Sequence, residues 1–403
     1  MTAIRLDHLT ASPNALASHY SRFRVAERLL LTGHSHQAWP DRGFDGHRRA
    51  WEDAAELVDA KWERAFERAD RVRRGFARLL EVPDGQLALG ASTHDLVVRW
   101  LSALPLRERP RIVTTDGEFH TVRRQLDRLA EEGVAVVKVA AHPAGSIGER
   151  LAAEIDERTA ATVVSSVFYE TAHIAGGLGT TMARCGEVGA ELLVDAYHSL
   201  NVVPFPLARL GLEGAFVVGG GYKYCQLGEG NCFLRLTPGC RLRPVVTGWF
   251  SEFDALADEE RSGVAYGEGP ARFAGATYDP TSHYRASEVF DFFAEWELTP
   301  ELLREVSHHQ VGLLARSFDA LDLDPATIDR DRSVPLERIA GFLALRSPRA
   351  DDLCRALSER GVSSDHRGGV LRLGPAPYLT DRQLEDAVAA LGEAVRASGG
   401  RSP

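Results

Sequence analysis

Short apolar runs alternate with helical patterns through the middle of this 403-residue chain, and no other feature constrains its fold as strongly. The runs include 134–139, 162–167, 192–194 and 216–218, and amphipathic stretches such as 122–132 lie between them. Strands that are apolar at every position are covered on both faces, which is typical of parallel sheets between two layers of helices. The alternation therefore predicts an α/β fold with a mostly parallel mixed sheet in a large domain.

The last quarter of the chain predicts a second, smaller α/β unit. Two long amphipathic helices are expected at 282–298 and 301–321, because Thr299 can cap the second helix and Pro300 suits its first position. A strand, a helix, a strand and a helix follow, at 339–345, 350–360, 369–373 and 380–397. We therefore divide the chain into an N-terminal segment packing near the small domain (1–45), a large domain (46–298), and a linking helix with the small domain (299–403).

Composition excludes several classes of function. A net charge of −10 argues against a nucleic-acid partner, which needs a basic face. Neither an 18-residue apolar run nor a signal peptide is found, so we expect no membrane association. Five cysteines without C-x-x-C spacing fit the reducing cytoplasm, and the scattered histidines do not predict a metal site.

A lysine with unusual neighbours follows one of the apolar runs. The stretch Gly219-Gly220-Gly221-Tyr222-Lys223-Tyr224 ends a predicted strand, and Asp195 ends the run before it. Ligands bind beyond the carboxyl ends of parallel strands. A buried lysine can form a Schiff base with pyridoxal 5′-phosphate (PLP), and a carboxylate can keep the ring nitrogen protonated. The residues leave open the alternative that two buried strands simply end this way.

Other strand ends carry residues suited to such a cofactor, each with a structural alternative. Ser92 and Thr93 open a helix, where they suit a phosphate or serve as a cap. Phe119 can stack on a flat ring or belong to the core. Ser165 can contact cofactor oxygens or cap a turn. His198 is expected to hold Asp195 in place, although most histidines in such places are structural.

Arg372 lies in the short apolar strand predicted at 369–373. A planar guanidinium binds a carboxylate through two hydrogen bonds, as an amino-acid substrate requires. An arginine on an exposed strand face is the alternative.

Four motifs in order resemble those of the kynureninase family, among the class V, fold-type I (aspartate-aminotransferase-like) PLP enzymes. They are Asp195-Ala196-Tyr197-His198, Tyr222-Lys223-Tyr224 with Gly228-Glu229-Gly230, the Gly248-Trp249-Phe250 segment, and Arg372 with Pro375-Ala376-Pro377. The resemblance covers about residues 25–390. It implies a homodimer in which Lys223 forms the Schiff base, Asp195 pairs with the ring nitrogen and Arg372 binds the substrate carboxylate. It further implies a phosphate site of Tyr222, Ser92, Thr93 and, from the neighbouring subunit, Trp249 and Thr277, with Phe119, Ser165 and His198 around the ring.

The reaction implied by the resemblance is hydrolytic cleavage of the β,γ carbon–carbon bond of kynurenine, giving anthranilate and alanine. The segments facing the substrate depart from the family pattern. The family's Gly-Asn-Ser-Leu-Gly is replaced by Gly33-His34-Ser35-His36-Gln37, so the resemblance places His34 and Ser35 at the substrate. The alternative is a related PLP enzyme that catalyses β-elimination, carbon–sulfur cleavage or aminotransfer on another amino acid.

Overall fold

A computed structural model describes residues 4–82, 86–256 and 263–399. The turn indicated by Pro83-Asp84-Gly85 lies outside the described residues. The strands are β1 (Leu29–Leu30), β2 (Leu87–Gly90), β3 (Arg111–Thr115), β4 (Ala135–Val139), β5 (Thr159–Ser165), β6 (Glu191–Asp195), β7 (Phe216–Gly220), β8 (Cys232–Arg235), β9 (Asp329–Arg330), β10 (Leu343–Arg346), β11 (Val362–Ser363), β12 (Asp365–Arg367) and β13 (Val370–Leu373).

Helices cover both faces of the large sheet and link it to the small one. The α-helices are α1 (Leu6–Thr10), α2 (Arg42–Leu57), α3 (Lys61–Leu79), α4 (Thr93–Ser102), α5 (His120–Glu131), α6 (Ile147–Glu154), α7 (Leu178–Val188), α8 (Leu207–Leu210), α9 (Thr281–Glu295), α10 (Pro300–Asp319), α11 (Ala350–Glu359) and α12 (Asp381–Gly399).

The large sheet has seven strands in the order β2-β8-β7-β6-β5-β3-β4. Strand β8 is antiparallel to both of its neighbours, and the other pairings are parallel. Every residue of β5 and of β7 is buried, as their continuous apolar sequences require. The predicted α/β fold with a mostly parallel mixed sheet is confirmed.

The core lies on both faces of this sheet because alternate side chains of each strand point in opposite directions. On one face Ile112, Leu193 and Val218 pack in a cluster with Trp100 of α4. On the other face Leu192 and Val217 belong to a larger cluster that continues into the small domain. Two covered faces leave the strand ends as the place where polar side chains can gather.

Helix boundaries follow local signals in the sequence. Residues 42–80, in which apolar residues recur at helical spacing, contain two helices, α2 and α3, and the first ends at Val58 with a φ of 50°. Thr299 caps α10 by accepting a hydrogen bond from the Leu302 amide at 3.3 Å, and Pro300 is its first residue. In the part of the chain that the structure describes, no helix is both long enough and apolar enough to cross a membrane.

The small domain has an antiparallel sheet in the order β12-β13-β10-β9. Strand β10 begins at Leu343, four residues later than predicted. Three of the strands that the sequence did not indicate, β9, β11 and β12, have only two or three residues, too few for a periodic signal. The N-terminal segment reaches this domain through parallel pairing of β1 with β11 and a bridge from Thr32 to Gly374. This pairing sets His34 beside the end of β13.

Candidate active site

Lys223 lies just beyond β7 and is only 6% exposed. Its Nζ is 2.5 Å from Nε2 of His198, 4.8 Å from the ring centroid of Tyr197 and 5.6 Å from that of Phe119. Burial lowers the pKa of Lys223 to about 7; Asp195 opposes the shift and Arg372 adds to it. A large fraction of this amine is therefore neutral and nucleophilic near neutral pH.

The glycines before Lys223 allow the end of β7 to pack closely against the protein itself. A Cβ at Gly220 would lie 2.6 Å from Sγ of Cys232 and from the ring of Tyr197, and one at Gly221 would lie 2.6 Å from Leu227. These distances are shorter than any normal contact, so a larger residue would displace the lysine loop. The groups that these glycines admit close to the backbone are side chains of the core.

Asp195 ends β6, and its neighbour β7 ends at the same edge of the sheet. One carboxylate oxygen accepts a hydrogen bond from the Tyr197 amide at 2.8 Å. Burial raises the pKa of Asp195, whereas the Tyr197 amide and the Lys223 charge oppose that rise. The two residues that carried the cofactor hypothesis are thus brought to one place.

His198 contacts Lys223, which corrects the expectation that it holds Asp195 in place. Residues 197–200 form a turn rather than a helix, so the histidine side chain is directed across to the lysine. Burial, reinforced by the nearby Lys223, lowers the pKa of His198 well below its usual value. Its Nδ1 is buried, and no hydrogen-bond partner reaches it among the described residues. A neutral His198 can therefore accept the hydrogen bond of the lysine amine.

Ser92 is the N-cap of α4, and its Oγ accepts a hydrogen bond from the Asp95 amide at 3.2 Å. The capping interpretation is therefore confirmed. The Thr93 amide contacts Cys232, and the N-terminus of α4 still favours an anion through its remaining amide and the helix dipole. Tyr222 lies between two rings, with centroids 4.8 Å from both Tyr197 and His36. Burial is the main reason that the pKa of Tyr222 rises to about 12, so its hydroxyl remains a proton donor.

Phe119 and Ser165 lie at the ends of adjoining elements and are linked by Glu118, which the sequence reasoning missed. Glu118 accepts hydrogen bonds from Oγ of Ser165 at 2.6 Å and from Oγ1 of Thr115 at 2.7 Å. Burial raises the pKa of Glu118 to about 7. The signal available in the sequence was its position immediately before Phe119, shortly after a strand end. A carboxylate that is buried at such a place seldom lacks a function.

Arg372 is buried, 3% exposed, which rules out the alternative of an exposed strand arginine. It donates from Nε and Nη2 to the two carboxylate oxygens of Asp365, at 2.9 and 2.6 Å, and from Nη1 to the Tyr169 carbonyl at 2.7 Å. Asp365 was not foreseen, because it becomes a neighbour of Arg372 only through the pairing of β12 with β13.

The two residues expected at the substrate from the N-terminal segment differ in position. His34 has no exposed surface, and its Nε2 lies 2.7 Å from Oδ1 of Asp365. The expectation of direct contact between His34 and a substrate is therefore corrected: the ring contacts Asp365. Ser35 is partly buried and bonds to Nδ1 of His36 at 3.2 Å.

Trp249 and Thr277, expected to reach a neighbouring subunit's phosphate, lie together. Nε1 of Trp249 donates to Oγ1 of Thr277 at 3.3 Å, and the tryptophan is 43% exposed. Thr277 is exposed as well, so the two side chains lie together at the surface.

No family model matches the chain. A relative from Bacillus subtilis (strain 168), named the uncharacterized aminotransferase YcbU, is 23% identical over 342 residues, which cover 81% of this chain and 84% of the relative.

Solved structures resemble the chain over nearly its whole length. C-DES, as a lysine-to-alanine variant with glycine covalently linked to its PLP cofactor, superimposes with a TM-score of 0.80 at 16% identity, covering 93% of this chain and 98% of its own. The cysteine desulfurase CsdA from Escherichia coli has a TM-score of 0.78 at 17% identity, and the match covers 96% of this chain and 98% of CsdA. A second structure of C-DES, described as a cystine C–S lyase in complex with its product cysteine persulfide, has a TM-score of 0.78 at 15% identity. The match covers 92% of this chain and 98% of C-DES. The fold is therefore that of fold-type I PLP-dependent enzymes.

Proposed function

We propose that this protein is a PLP-dependent enzyme acting on an α-amino acid, with Lys223 as the residue that binds the cofactor covalently. The observation that carries the proposal is a buried amine with a pKa near 7, in contact with His198 and at the same sheet edge as Asp195. When bound, PLP withdraws electrons from the substrate's Cα and so lowers the barrier to breaking bonds there.

The residues around Lys223 suit the separate parts of PLP. The N-terminus of α4 and the hydroxyl of Tyr222 suit an anionic phosphate. The carboxylate of Asp195 can hold a proton on the ring nitrogen, and the Phe119 ring provides a face on which a flat ring stacks. Nδ1 of His198, which has no partner among the described residues, remains for ring substituents, and Oγ of Ser165, whose hydrogen goes to Glu118, can still accept a hydrogen bond.

The reaction that we favour is β-elimination of the carbon–sulfur lyase type. Lys223 would take the proton from Cα while a thiolate leaves from Cβ, and hydrolysis of the remaining fragment gives pyruvate and ammonia. No thiol of the enzyme takes part in these steps. The solved structures of similar fold include a cystine C–S lyase and a cysteine desulfurase, which supports chemistry at a Cβ–S bond.

A desulfurase that transfers sulfur to its own cysteine fits this chain poorly. All five cysteines lie within the described residues. Burial raises the pKa of Cys185 to about 11 and of Cys232 to about 12, and also raises those of Cys225 and Cys240. Cys354, in α11, donates from Sγ to the Ser364 carbonyl at 3.4 Å. The raised pKa values of the first four thiols disfavour the thiolate nucleophile that sulfur transfer requires, and the Cys354 thiol is engaged by the backbone within the small domain.

Kynurenine hydrolysis is the second candidate. The tyrosine–lysine–tyrosine motif supports it, and so does a group of rings beside the site, because Tyr169 lies 5.3 Å from Phe119 and 5.5 Å from His120 between ring centroids. Such rings can pack against an aryl side chain. Aminotransfer, which the name of the Bacillus relative suggests, uses the same lysine and is distinguished by its products.

A substrate panel separates these reactions. We expect PLP-loaded protein to release pyruvate and ammonia from cystine and from cysteine S-conjugates, with the products identified by mass spectrometry. Kynurenine and 3-hydroxykynurenine serve as the comparison in the same assay. Release of anthranilate or its hydroxy derivative without pyruvate would replace elimination by hydrolysis, and keto-acid formation that requires an amino acceptor would indicate aminotransfer.

We also propose a homodimer formed through the apolar surface around Trp249. Five large apolar side chains of residues 245–256 are each at least two-fifths exposed, an unusual density for a free surface. They are Val245, Val246, Trp249, Phe253 and Leu256.

The prediction is that Phe253→Glu shifts the molar mass in solution, measured by light scattering, from that of two chains to that of one. An unpaired charge buried in an apolar interface costs on the order of several kcal/mol, which would separate the two chains. Leu210→Glu, at an exposed leucine of α8, is the matched control and should leave the mass unchanged. A wild-type protein with the mass of a single chain would rule out the dimer.

A further inference from the structure

The guanidinium of Arg372 is held by hydrogen bonds from the protein and still has donors that these bonds do not use. Guanidinium carries five N–H donors, one on Nε and two on each Nη. Three donors are used, one from each nitrogen: those of Nε and Nη2 go to Asp365, and that of Nη1 goes to the Tyr169 carbonyl. The two that remain belong to Nη1 and Nη2, one on each nitrogen, and a pair of Nη donors can bind a carboxylate through two hydrogen bonds.

The ring of Phe342 connects this arginine with the lysine site. Its centroid is 5.6 Å from Cζ of Arg372, 4.6 Å from the His34 ring and 6.3 Å from the His198 ring. His198 in turn contacts Nζ of Lys223. Arg372 and Lys223 are therefore near enough for the arginine charge to act on the lysine, as expected for residues that face the carboxylate and amine ends of an amino acid.

Asp365 is held opposite Arg372 by the backbone. The two residues are direct partners in the antiparallel pairing of β12 with β13, so their side chains lie on the same face. His34 also holds Asp365, because its Nε2 donates a hydrogen bond to Oδ1 at 2.7 Å. The ring of His34 packs closely on β13: a Cβ at Gly374 would lie 2.2 Å from its Nδ1.

Charge within this group is balanced. Burial would raise the pKa of Asp365, but hydrogen bonds from His34 and Arg372 lower it, so the carboxylate stays ionised. Burial lowers the pKa of His34 to about 4, with Arg372 adding to the shift, so the ring is neutral near pH 7 and donates from Nε2. The neutral His34 ring holds the Asp365 carboxylate, which in turn holds the Arg372 guanidinium. The ion pair uses only the Nε and Nη2 donors of Arg372.

We infer that Asp365 and His34 are positioning residues that orient Arg372 to bind the carboxylate of the substrate. The inference rests on the proposed function and deepens it. Asp365 takes the Nε/Nη2 edge, His34 fixes Asp365, and one donor on each of Nη1 and Nη2 is left for a carboxylate beside the lysine. The family resemblance placed His34 at the substrate. In the structure His34 reaches the substrate site indirectly, because it contacts Asp365 and Asp365 holds Arg372.

Two reagents that differ by a carboxylate test this without knowledge of the substrate. Aminooxyacetate and O-methylhydroxylamine both attack the linkage between PLP and a lysine, and only the first carries a carboxylate. The ratio of their second-order rate constants, followed by absorbance on the PLP-loaded protein, measures the contribution of the carboxylate anchor. Arg372→Ala defines the ratio when that anchor is lost.

We expect Asp365→Asn to lower this ratio at least about tenfold, since an amide in place of one oxygen removes a charge-assisted hydrogen bond to Nη2. His34→Gln is expected to lower it about fivefold, and it tests the same idea if Asp365→Asn does not fold. The matched control is Asp319→Asn, which alters another Asp–Arg pair of the small domain, with Arg330 Nη2 at 2.5 Å, and should leave the ratio unchanged.

The remaining outcomes overturn the inference. Equal loss of rate with both reagents in Asp365→Asn and His34→Gln would assign these residues a merely structural role. A ratio that rises in Asp365→Asn would make Asp365 a competitor of the substrate carboxylate rather than its support. Failure of the proposed function is recognised separately, because a protein without a PLP–lysine linkage shows no absorbance change with either reagent.

Discussion

Replacing Lys223 with alanine is expected to abolish covalent binding of PLP and to lower turnover by at least about 10³-fold, because the residue is both nucleophile and proton carrier. The buried amine is in contact with His198 and faces the rings of Tyr197 and Phe119. Noncovalent binding of PLP can persist in the variant, since the phosphate and ring contacts are separate from Lys223.

The measurement is borohydride reduction of the PLP-loaded protein, followed by peptide mass spectrometry. In the wild type the reduced cofactor should be found on the peptide that contains Lys223, and in Lys223→Ala it should be found on none. The control is Lys138→Ala, since Lys138 is a partly exposed lysine that pairs with Asp127 on the surface. Cofactor reduced onto a peptide of the Lys223→Ala protein would contradict the assignment of Lys223 as the residue that binds PLP covalently.

The second large effect concerns stability: Lys223→Met is expected to stabilise the cofactor-free protein near neutral pH. In the folded protein the pKa of Lys223 is about 7, against 10.5 for an ordinary lysine. Between these two values the unfolded chain binds a proton that the folded chain does not, so the free energy of unfolding of the wild type rises with pH. Methionine fills a similar volume and has no charge to bury.

The stability advantage of Lys223→Met should therefore shrink by about 3 kcal/mol from pH 7 to pH 10, at 1.36 kcal/mol per pKa unit. The check is urea unfolding of both cofactor-free proteins at several pH values. Groups unchanged by the substitution contribute equally to both proteins and cancel in the difference. Lys138→Met, at an amine that reaches solvent, should show no such trend. A difference that does not vary with pH would mean that Lys223 is not held in a folded state that disfavours its charge.

Much of the site could be read from the sequence because its residues follow strands. Asp195 ends one continuous apolar run, Lys223 follows another after three glycines and a tyrosine, and parallel pairing of β6 with β7 brings such ends together. The α/β fold was predictable for the same reason. The apolar run at 232–236 also predicts a strand, which is found as β8, but its antiparallel direction depends on a chain reversal that periodicity does not encode.

Other residues were beyond the reach of sequence reasoning because their partners are distant in the chain. His198 was assigned to Asp195, three residues away, and is found on Lys223 instead. Asp365 and His34 are separated by 331 positions, and the two are brought together by short strands that leave no periodic signal. Glu118 was missed because its burial depends on the approach of Ser165 from β5.

The sequence by itself determined the order of strands and helices, the buried strand ends and the kinds of chemical groups placed there, because hydrophobic periodicity and turn residues are local properties. The tertiary structure alone decided which of those groups meet. Burial gives Lys223 a pKa near 7, and cross-strand pairing supplies Arg372 with an internal carboxylate. Both effects arise from neighbours far apart in sequence, whose contact is fixed only when the sheets form and water is excluded.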